Sequence, residues 1–524
     1  MESSQASSSS LTSATLRGVQ WTTLATVATA LMQIGYTAIM ARLLDPAAFG
    51  LVAMAGVVLR FGGYFAEMGL GHALVQRPQV TGFTIRAAFT AALLLGLGVT
   101  GIVWALAPLA VFFLKNEAVV PLVRALALGF ILTAAGMTAT SLLRREMRFA
   151  TLAKMDVASY ILAYGGVGVF LAWAGAGVWS LIAASLAQQL LVTVFAYAVV
   201  RHSVRPLFGW IHYAPLLGYG GRVSVISFLE FLNSNLDTLL IGRLLGSAAL
   251  GIYNRAFMLL FLPTYFLANS VGKVAFPAFS QIQEDTRRLG SIYLTSTTLV
   301  ASLVLPLCAG VAVAAPELVR VLLGPRWDAA VPVLQVLCIA IPLNLTTLFA
   351  GIVADARANL SQKIILNLQY ITLLVVLFIS LYRFGMLGIA AAVGLGELFR
   401  AGLYMRLTHH DLQLPIRKLL SVYGPGLRAA AGVALVLALA SETLRPLGLP
   451  VLLTLLAQML AGALALAVLL LRWPSEELRP WLLRGCSSLH RRAWAPARMR
   501  VHIDQYLNFL GQPRTMSAEP VATL

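Results

Sequence analysis

A few polar side chains interrupt long apolar runs in this sequence, and their types suit gripping a charged group more than making or breaking bonds. Arg60 and Glu67 stand seven apart in one run and so share a helical face, with Gly56 and Gly63 on that same face. Glu230, Asn233 and Asp237 follow at i, i+3 and i+7, a polar stripe down one side of a helix. Gln33 sits at matching depth in the first run, and Asn254, Arg255, Asn269 and Lys273 punctuate another. An arginine offers a planar donor fork that suits phosphate oxygens. A carboxylate held out of bulk water can take a proton or sodium in one state and release it in another. The substrate-gripping candidates are therefore Gln33, Arg60, Glu67, Asn233, Asn254, Arg255, Asn269 and Lys273, and the ion-coupling candidates are Glu230 and Asp237.

The elements that must hold these groups are membrane helices. The chain has 524 residues, 59% hydrophobic and only 11% charged, with mean hydropathy +0.84. A soluble chain carries about 25% charged residues. In hydrocarbon each backbone amide must be satisfied within its own segment, so the apolar runs are helices. A span needs about 20 apolar residues. By that ruler the spans fall near 18–41, 48–70, 84–107, 120–142, 153–173 and 177–200, then 218–241, 249–271, 290–315, 329–351, 361–381 and 386–408, then 425–442 and 449–471. Buried ionisable groups are the costly exceptions in such helices, roughly 2.5–3.5 kcal/mol each at a helix centre.

Charge sets the expected orientation. Arg77, Arg86, Arg144, Arg145, Arg148, Lys154, Arg201 and Arg205 fall on one set of loops, as do Lys273, Arg287, Arg288, Arg357 and Lys363, while the opposite loops carry mostly one basic residue each. The net charge of +18 then lies chiefly inside, with both termini cytoplasmic. The serine-rich start, residues 1–15, lacks the pattern of a cleaved leader and reads as a disordered tail. Residues 473–524 form a basic cytoplasmic tail; Leu478, Trp481 and Leu482 at helical spacing fit a surface helix on anionic lipid, and the arginines fit equally an ordinary charged tail that keeps the C-terminus inside.

The chain repeats itself. Arg42-Leu43-Leu44-Asp45-Pro46-Ala47-Ala48-Phe49-Gly50-Leu51 returns as Arg243-Leu244-Leu245-Gly246-Ser247-Ala248-Ala249-Leu250-Gly251-Ile252. A second echo pairs Pro121 with Pro332 and Gly177 with Gly388, at a slightly wider separation, so the second half carries a short insertion. This implies an all-α polytopic protein of about fourteen helices: two homologous six-helix lobes, 16–214 and 215–412, around a central cavity, and a helix pair within 413–472.

Plainer readings stand beside the functional ones. Arg60 and Glu230 can be a static ion pair, and Asp237 can neutralise Arg243 or Arg255. Arg124 and Asp156 suit an interface or a pair within the first lobe, Glu397 and Arg400 a local pair, and His409-His410-Asp411 a solvated loop. Arg255 and Lys273 can equally snorkel to opposite membrane faces. Cys308, Cys338 and Cys486 show no metal spacing and no disulfide framework. There is no phosphate-cradling loop ending in Lys-Ser or Lys-Thr and no paired-histidine zinc helix, so neither an ATPase nor a metal enzyme is expected, and no metal or cofactor.

From Asn235 to Gly246 and from Ala249 to Ala256 the chain resembles the start of the second lobe of bacterial oligosaccharide flippases, the lipopolysaccharide and exopolysaccharide transporters. The run Ala41 to Gly50, Arg144-Arg145-Glu146-Met147-Arg148-Phe149 and Phe276-Pro277-Ala278-Phe279-Ser280 fit the same pattern, and the resemblance covers roughly residues 15–410. It implies two lobes around a wet cavity lined by the first, second, seventh and eighth helices. It also implies movement of a polyprenyl-pyrophosphate-linked oligosaccharide to the outer leaflet of the bacterial inner membrane, with the polyprenyl tail left in lipid and the protein working beside polysaccharide polymerase and export machinery. Many members have twelve spans; the superfamily's peptidoglycan-precursor flippase has fourteen. Coupling to a proton or sodium gradient is a hypothesis that rests on Glu230 and Asp237 alone. The rival readings are a cation-coupled multidrug exporter of the same superfamily, which would favour an acidic cavity, and a membrane glycan polymerase or ligase, which would need a large outer loop.

Overall fold

The computed structural model describes residues 2–67, 71, 74–75, 80–207, 235–260, 279, 282, 285–357, 360–472 and 479. All regular structure among them is helical. Among the described residues twelve stretches are long and apolar enough to cross a membrane, and two of these each hold two long helices. Asn235–Leu260 contains Gly246 at φ +84, a left-handed residue that no continuing right-handed helix accommodates. Gln362–Leu412 is broken by the tight turn Tyr382–Phe384. The helices are α1 Glu2–Leu43, α2 Pro46–Glu67, α3 Gly82–Leu106, α4 Val119–Arg145, α5 Phe149–Trp173, α6 Val178–Val199, α7 residues 235–245, α8 residues 247–260, α9 Thr286–Val313, α10 Ala330–Ala356, α11 Leu360–Leu381, α12 Gly385–Leu412, α13 Gly424–Leu444 and α14 Val451–Arg472. Over the described residues they fall on the spans expected from hydropathy, 218–241 being described only from 235 and 249–271 only to 260. The chain is a multi-pass, all-α membrane protein.

α1 is drawn from Glu2, so its first turns run through the serine-rich start. The second echo needs correction. Pro121 and Pro332 both fall in the first turn of their helices, α4 and α10, where the missing N–H is not needed. Gly177, at φ 56 and ψ −133, finds its conformational match in Gly385, at φ 65 and ψ −146, rather than in Gly388. That backbone region belongs essentially to glycine, so conformation locates the equivalence where letter matching missed it.

The contacts divide the chain into two compact units. The first comprises residues 1–263, 315–341 and 361–400, the second 264–314, 342–360 and 401–524. In the first, α3, α4 and α6 pack through small residues, as helices in lipid must when apolar contact alone gains them little. Ala91 and Ala92 of α3 meet Ala134 of α4. Side-chain bonds tie the same helices: Thr100 Oγ1 donates to the Ala127 carbonyl at 3.0 Å, Thr193 Oγ1 to Leu132 at 2.8 Å and Thr133 Oγ1 to Gln189 Oε1 at 3.1 Å. α5 carries a π-helical stretch, Ile161–Gly168, which turns Tyr160 and Tyr164 into a stacked pair with ring centroids 4.5 Å apart. In the second unit, α13 lies along α9 with Gly426 pressed against the Ala301 carbonyl, and Gln458 of α14 donates to Ser441 of α13 at 2.9 Å. Arg357 pins the ends of two helices there, bonding the Asp411 carbonyl and Thr286 Oγ1.

Candidate functional site

The two copies of the repeat pack on each other within the first unit. A Cβ added at Gly50 would collide with the Ser247 carbonyl, and one added at Gly251 with the Pro46 carbonyl. Each copy thus has a glycine under the backbone that starts the other copy's helix, because only an absent side chain permits that approach. The arginines are exchanged in the same way. Arg42 donates to the Val321 carbonyl at 2.6 Å, at the end of the short helix Ala315–Leu322. Arg243 donates to the Phe112 and Phe113 carbonyls at 2.8 and 2.9 Å, at the end of the short helix Leu109–Leu114. Unpaired carbonyls at a helix C-terminus favour such cations. The clasp is completed by Trp327, which is fully buried, donates from Nε1 to the Ala41 carbonyl at 2.9 Å and sets its ring edge-on to Phe49 at 5.4 Å. Arg326 pairs with Asp45 at 3.6 Å beside it. Both partners of that ion pair are exposed, which limits its weight to about 0–1 kcal/mol.

Beneath the clasp lies Arg255 of α8. Its guanidinium covers the Phe49 ring at 4.7 Å and donates to Met258 Sδ at 3.3 Å. It lies within electrostatic reach of Tyr36 and Tyr160, and its Nε is buried without an acceptor. No carboxylate pairs with it among the described residues. Tyr36 of α1 meets Tyr164 edge-on at 4.9 Å, and its buried hydroxyl has no hydrogen-bond partner among the described residues. Gly168, at the end of the π stretch, makes the room for that hydroxyl, since a Cβ there would come within 3.0 Å of it. α1, α2, α5 and α8 thus converge on a cation ringed by phenols.

A second polar cluster joins α7, α8, α11 and α12. Asp237 accepts from the Thr238 amide at 2.6 Å and from Tyr253 Oη at 3.0 Å, and Arg60 of α2 lies within electrostatic reach of it. Tyr370 Oη donates to Glu397 Oε1 at 3.0 Å, and Arg400 closes on Glu397 Oε2 at 2.9 Å with its guanidinium over the Tyr370 ring at 5.2 Å. Tyr253 faces both Tyr370 and Glu397 electrostatically.

Several sequence expectations can now be placed. Asp237 does not neutralise Arg243 or Arg255: the first serves carbonyls and the second an aromatic face. Glu397 and Arg400 do pair locally, as their spacing indicated. Gln33 lies half-buried on the α1 face that carries Tyr36 and Thr37, Asn254 is half-buried beside Arg255, and the Arg60 side chain is exposed. Arg124 stacks on Trp104 at 4.3 Å. Asp156 lies within electrostatic reach of Arg144. Glu230, Asn233, Asn269 and Lys273, and the side chain of Glu67, lie outside the described residues. Sequence reasoning missed Tyr36, Phe49, Tyr160, Tyr164, Tyr253, Trp327 and Tyr370. The available signal was the tyrosines set deep in apolar runs, away from the interfaces where they are usually enriched.

Outside the spans, burial between Phe89 and Tyr197 pushes His202 below its ordinary pKa, and the Arg320 guanidinium holds Asp328 below the usual carboxylate range. Among the described residues no group of three or more His, Cys, Asp and Glu side chains is placed to hold a metal.

Comparison with known proteins sets these groups in context. The pattern of a family described as "Polysaccharide biosynthesis protein" matches residues 39–332. The lipopolysaccharide biosynthesis protein WzxC of Escherichia coli (strain K12) is 26% identical over 359 residues, 68% of this chain and 73% of that protein. The teichuronic acid biosynthesis protein TuaB of Bacillus subtilis (strain 168) is 28% identical over 344 residues, 63% and 68%. The succinoglycan biosynthesis transport protein ExoT of Rhizobium meliloti (strain 1021) is 30% identical over 325 residues, 62% and 65%. Among solved structures, the lipid II flippase MurJ in an inward closed conformation aligns with a TM-score of 0.67 at 13% identity, over 86% of this chain and 98% of that one. An inward-facing multidrug resistance MATE family transporter aligns at 0.56 and 16% identity, over 72% and 93%. The fold is therefore one that a lipid flippase and a drug transporter share.

Proposed function

The chain belongs to the polysaccharide biosynthesis protein family, and on that premise we propose that it is a flippase, moving a polyprenyl-pyrophosphate-linked oligosaccharide from the inner to the outer leaflet for surface polysaccharide synthesis. The observation that carries this reading is Arg255, a half-buried cation in a membrane helix whose Nε is shut off from solvent, with no acidic partner among the described residues. A buried charge without a counter-charge is expensive, and an anionic ligand supplies what is missing. A pyrophosphate is such a ligand, and Arg60 offers a second cation. The names of WzxC, TuaB and ExoT point the same way. A multidrug exporter that takes up cations would be poorly served by this arginine, so although the fold fits both, the site favours the anionic cargo.

The work divides between the groups. A glycan with a pyrophosphate cannot cross hydrocarbon unaided, and cationic and phenolic groups replace its lost hydration. The lobes 16–214 and 215–412 rock to expose the site to alternate sides while the polyprenyl tail stays in lipid. Asp237 binds a proton or sodium in one state, with Glu230 as a further candidate, and differential affinity supplies the drive. The protein makes and breaks no covalent bond. It sits in the bacterial inner membrane, termini cytoplasmic, and hands its cargo to polymerase and export machinery.

The test is a deletion strain together with reconstitution. The strain is expected to accumulate a lipid-linked glycan on the inner leaflet, and purified protein in liposomes to move that lipid. Normal surface polysaccharide with no such accumulation would overturn the proposal.

A further inference from the structure

From the contacts beneath the repeat we infer that Trp327 and Phe49 are positioning residues for Arg255, and that opening the clasp at the α1–α2 turn unseats this cation. The inference rests on the role given to Arg255 above. Phe49 stands between them, with the guanidinium over its face at 4.7 Å and the edge of its ring pair with Trp327 at 5.4 Å and 73°. Phe49 is 4% exposed and Trp327 0%, so neither ring has room to swing while the other stays. Trp327 is fixed from outside by its bond to the Ala41 carbonyl, its loop by Arg326 on Asp45, and the helix end before that loop by Arg42 on the Val321 carbonyl. The polar grip on that loop is thus partly at the exposed surface, whereas what it supports lies inside.

The physical link is the cation–π contact with Phe49, which with Met258 forms the seat of Arg255 among the described residues. Such contacts weaken quickly when the ring tilts or withdraws. When the loop carrying Trp327 parts from the α1–α2 turn, Phe49 loses its edge support and Arg255 its floor. A ligand held by the seated guanidinium is released in the same movement. Closure restores the stack, so the cation is presented only while this end of the bundle is shut. The relation is asymmetric between the repeat copies: the position equivalent to Arg255 in the first copy is Met54, and the position equivalent to Phe49 in the second is Leu250.

The test reads Arg255 directly, without substrate. Full-length protein in lipid nanodiscs is treated with phenylglyoxal, and modification of each arginine is followed by mass spectrometry. Phe49→Leu and Trp327→Ala are each expected to raise the Arg255 rate about tenfold, whereas Phe49→Tyr and Trp327→Phe, which keep the rings, stay near the wild-type rate. Arg60, on the same helix as Phe49, is the internal control and keeps its rate in every variant. If Trp327→Ala leaves Arg255 as slow as in the wild type, or if Arg60 accelerates equally, the inference is overturned. Should Trp327→Ala fail to fold, Trp327→Leu, which keeps apolar volume but neither the ring nor the donor to Ala41, takes its place, and an unchanged Arg255 rate there is equally fatal. A second arm measures binding of a short-chain prenyl pyrophosphate. Faster labelling with no binding by any form, wild type included, would keep the stack and sink the flippase reading instead.

Discussion

The two copies of the repeat share their scaffolding and differ in their chemistry. Arg42 and Arg243 each cap the short helix of the other half, and Gly50 and Gly251 each admit the other copy's backbone. The reversal between helices is also repeated, by Asp45-Pro46 in one copy and by left-handed Gly246 before Ser247 in the other. What is not repeated is the aromatic floor and the cation upon it. Phe49 faces Arg255, whereas Leu250 and Met54 at the corresponding positions are simply buried. A duplicated frame has thus been made to hold one site, and the residues that break the symmetry are where function is to be sought.

The harshest way to break the comparison is at the glycines. Gly50→Val and Gly251→Val force a side chain into a carbonyl, an overpacking that costs about 1–3 kcal/mol or more. Both are expected to remove most monodisperse protein in size-exclusion chromatography, and to similar degree. A variant that folds and melts like the wild type would dissolve the reciprocal contact. Arg255→Gln comes next: export of surface polysaccharide in a complementation assay should fall by about tenfold or more while abundance stays normal. Adding Met54→Arg to that variant should not restore it, since Leu250 offers no aromatic seat; recovery would mean that the copies are chemically interchangeable. Arg60→Ala is expected to impair export without loss of protein.

Arg42→Ala and Arg243→Ala sharpen the symmetry more gently. Each loses charge-assisted bonds to backbone carbonyls worth about 1–3 kcal/mol when buried and less at these exposed sites. Closely matched drops in melting temperature are expected, and a large inequality would show that one clasp carries the load alone. The smallest effect belongs to Asp328. Its pKa in the folded protein is held low by Arg320. Its contribution to stability is therefore present above the ordinary aspartate range and lost as pH falls through the lowered value. Because both side chains are exposed, Asp328→Asn should change the melting temperature slightly at neutral pH and not at all in strong acid. A difference that grows with acidity would contradict the sign.

Legibility followed the range of the interactions. Glu397 and Arg400 were readable as a pair because a helix fixes residues three apart. Pro121 and Pro332 marked helix starts for an equally local reason. Gly385 was hidden behind Gly388, because backbone conformation rather than residue identity defines the equivalence. Trp327 gave no local sign of its importance: its partners Ala41 and Phe49 lie far back in the chain, and no periodicity links a loop to a distant helix end.

By itself, then, the sequence determined that the chain crosses the membrane many times, that it is built on a repeat and that polar groups stand in those spans. Hydropathy and short-range spacing carry that information, because lipid forces every segment to satisfy its own backbone. Only the tertiary structure decided which charges are paired and which are not. It placed Asp237 on Tyr253, Arg243 on carbonyls and Arg255 on Phe49, because the partner of a buried group is set by which helices meet, and that depends on close packing among side chains distant in sequence.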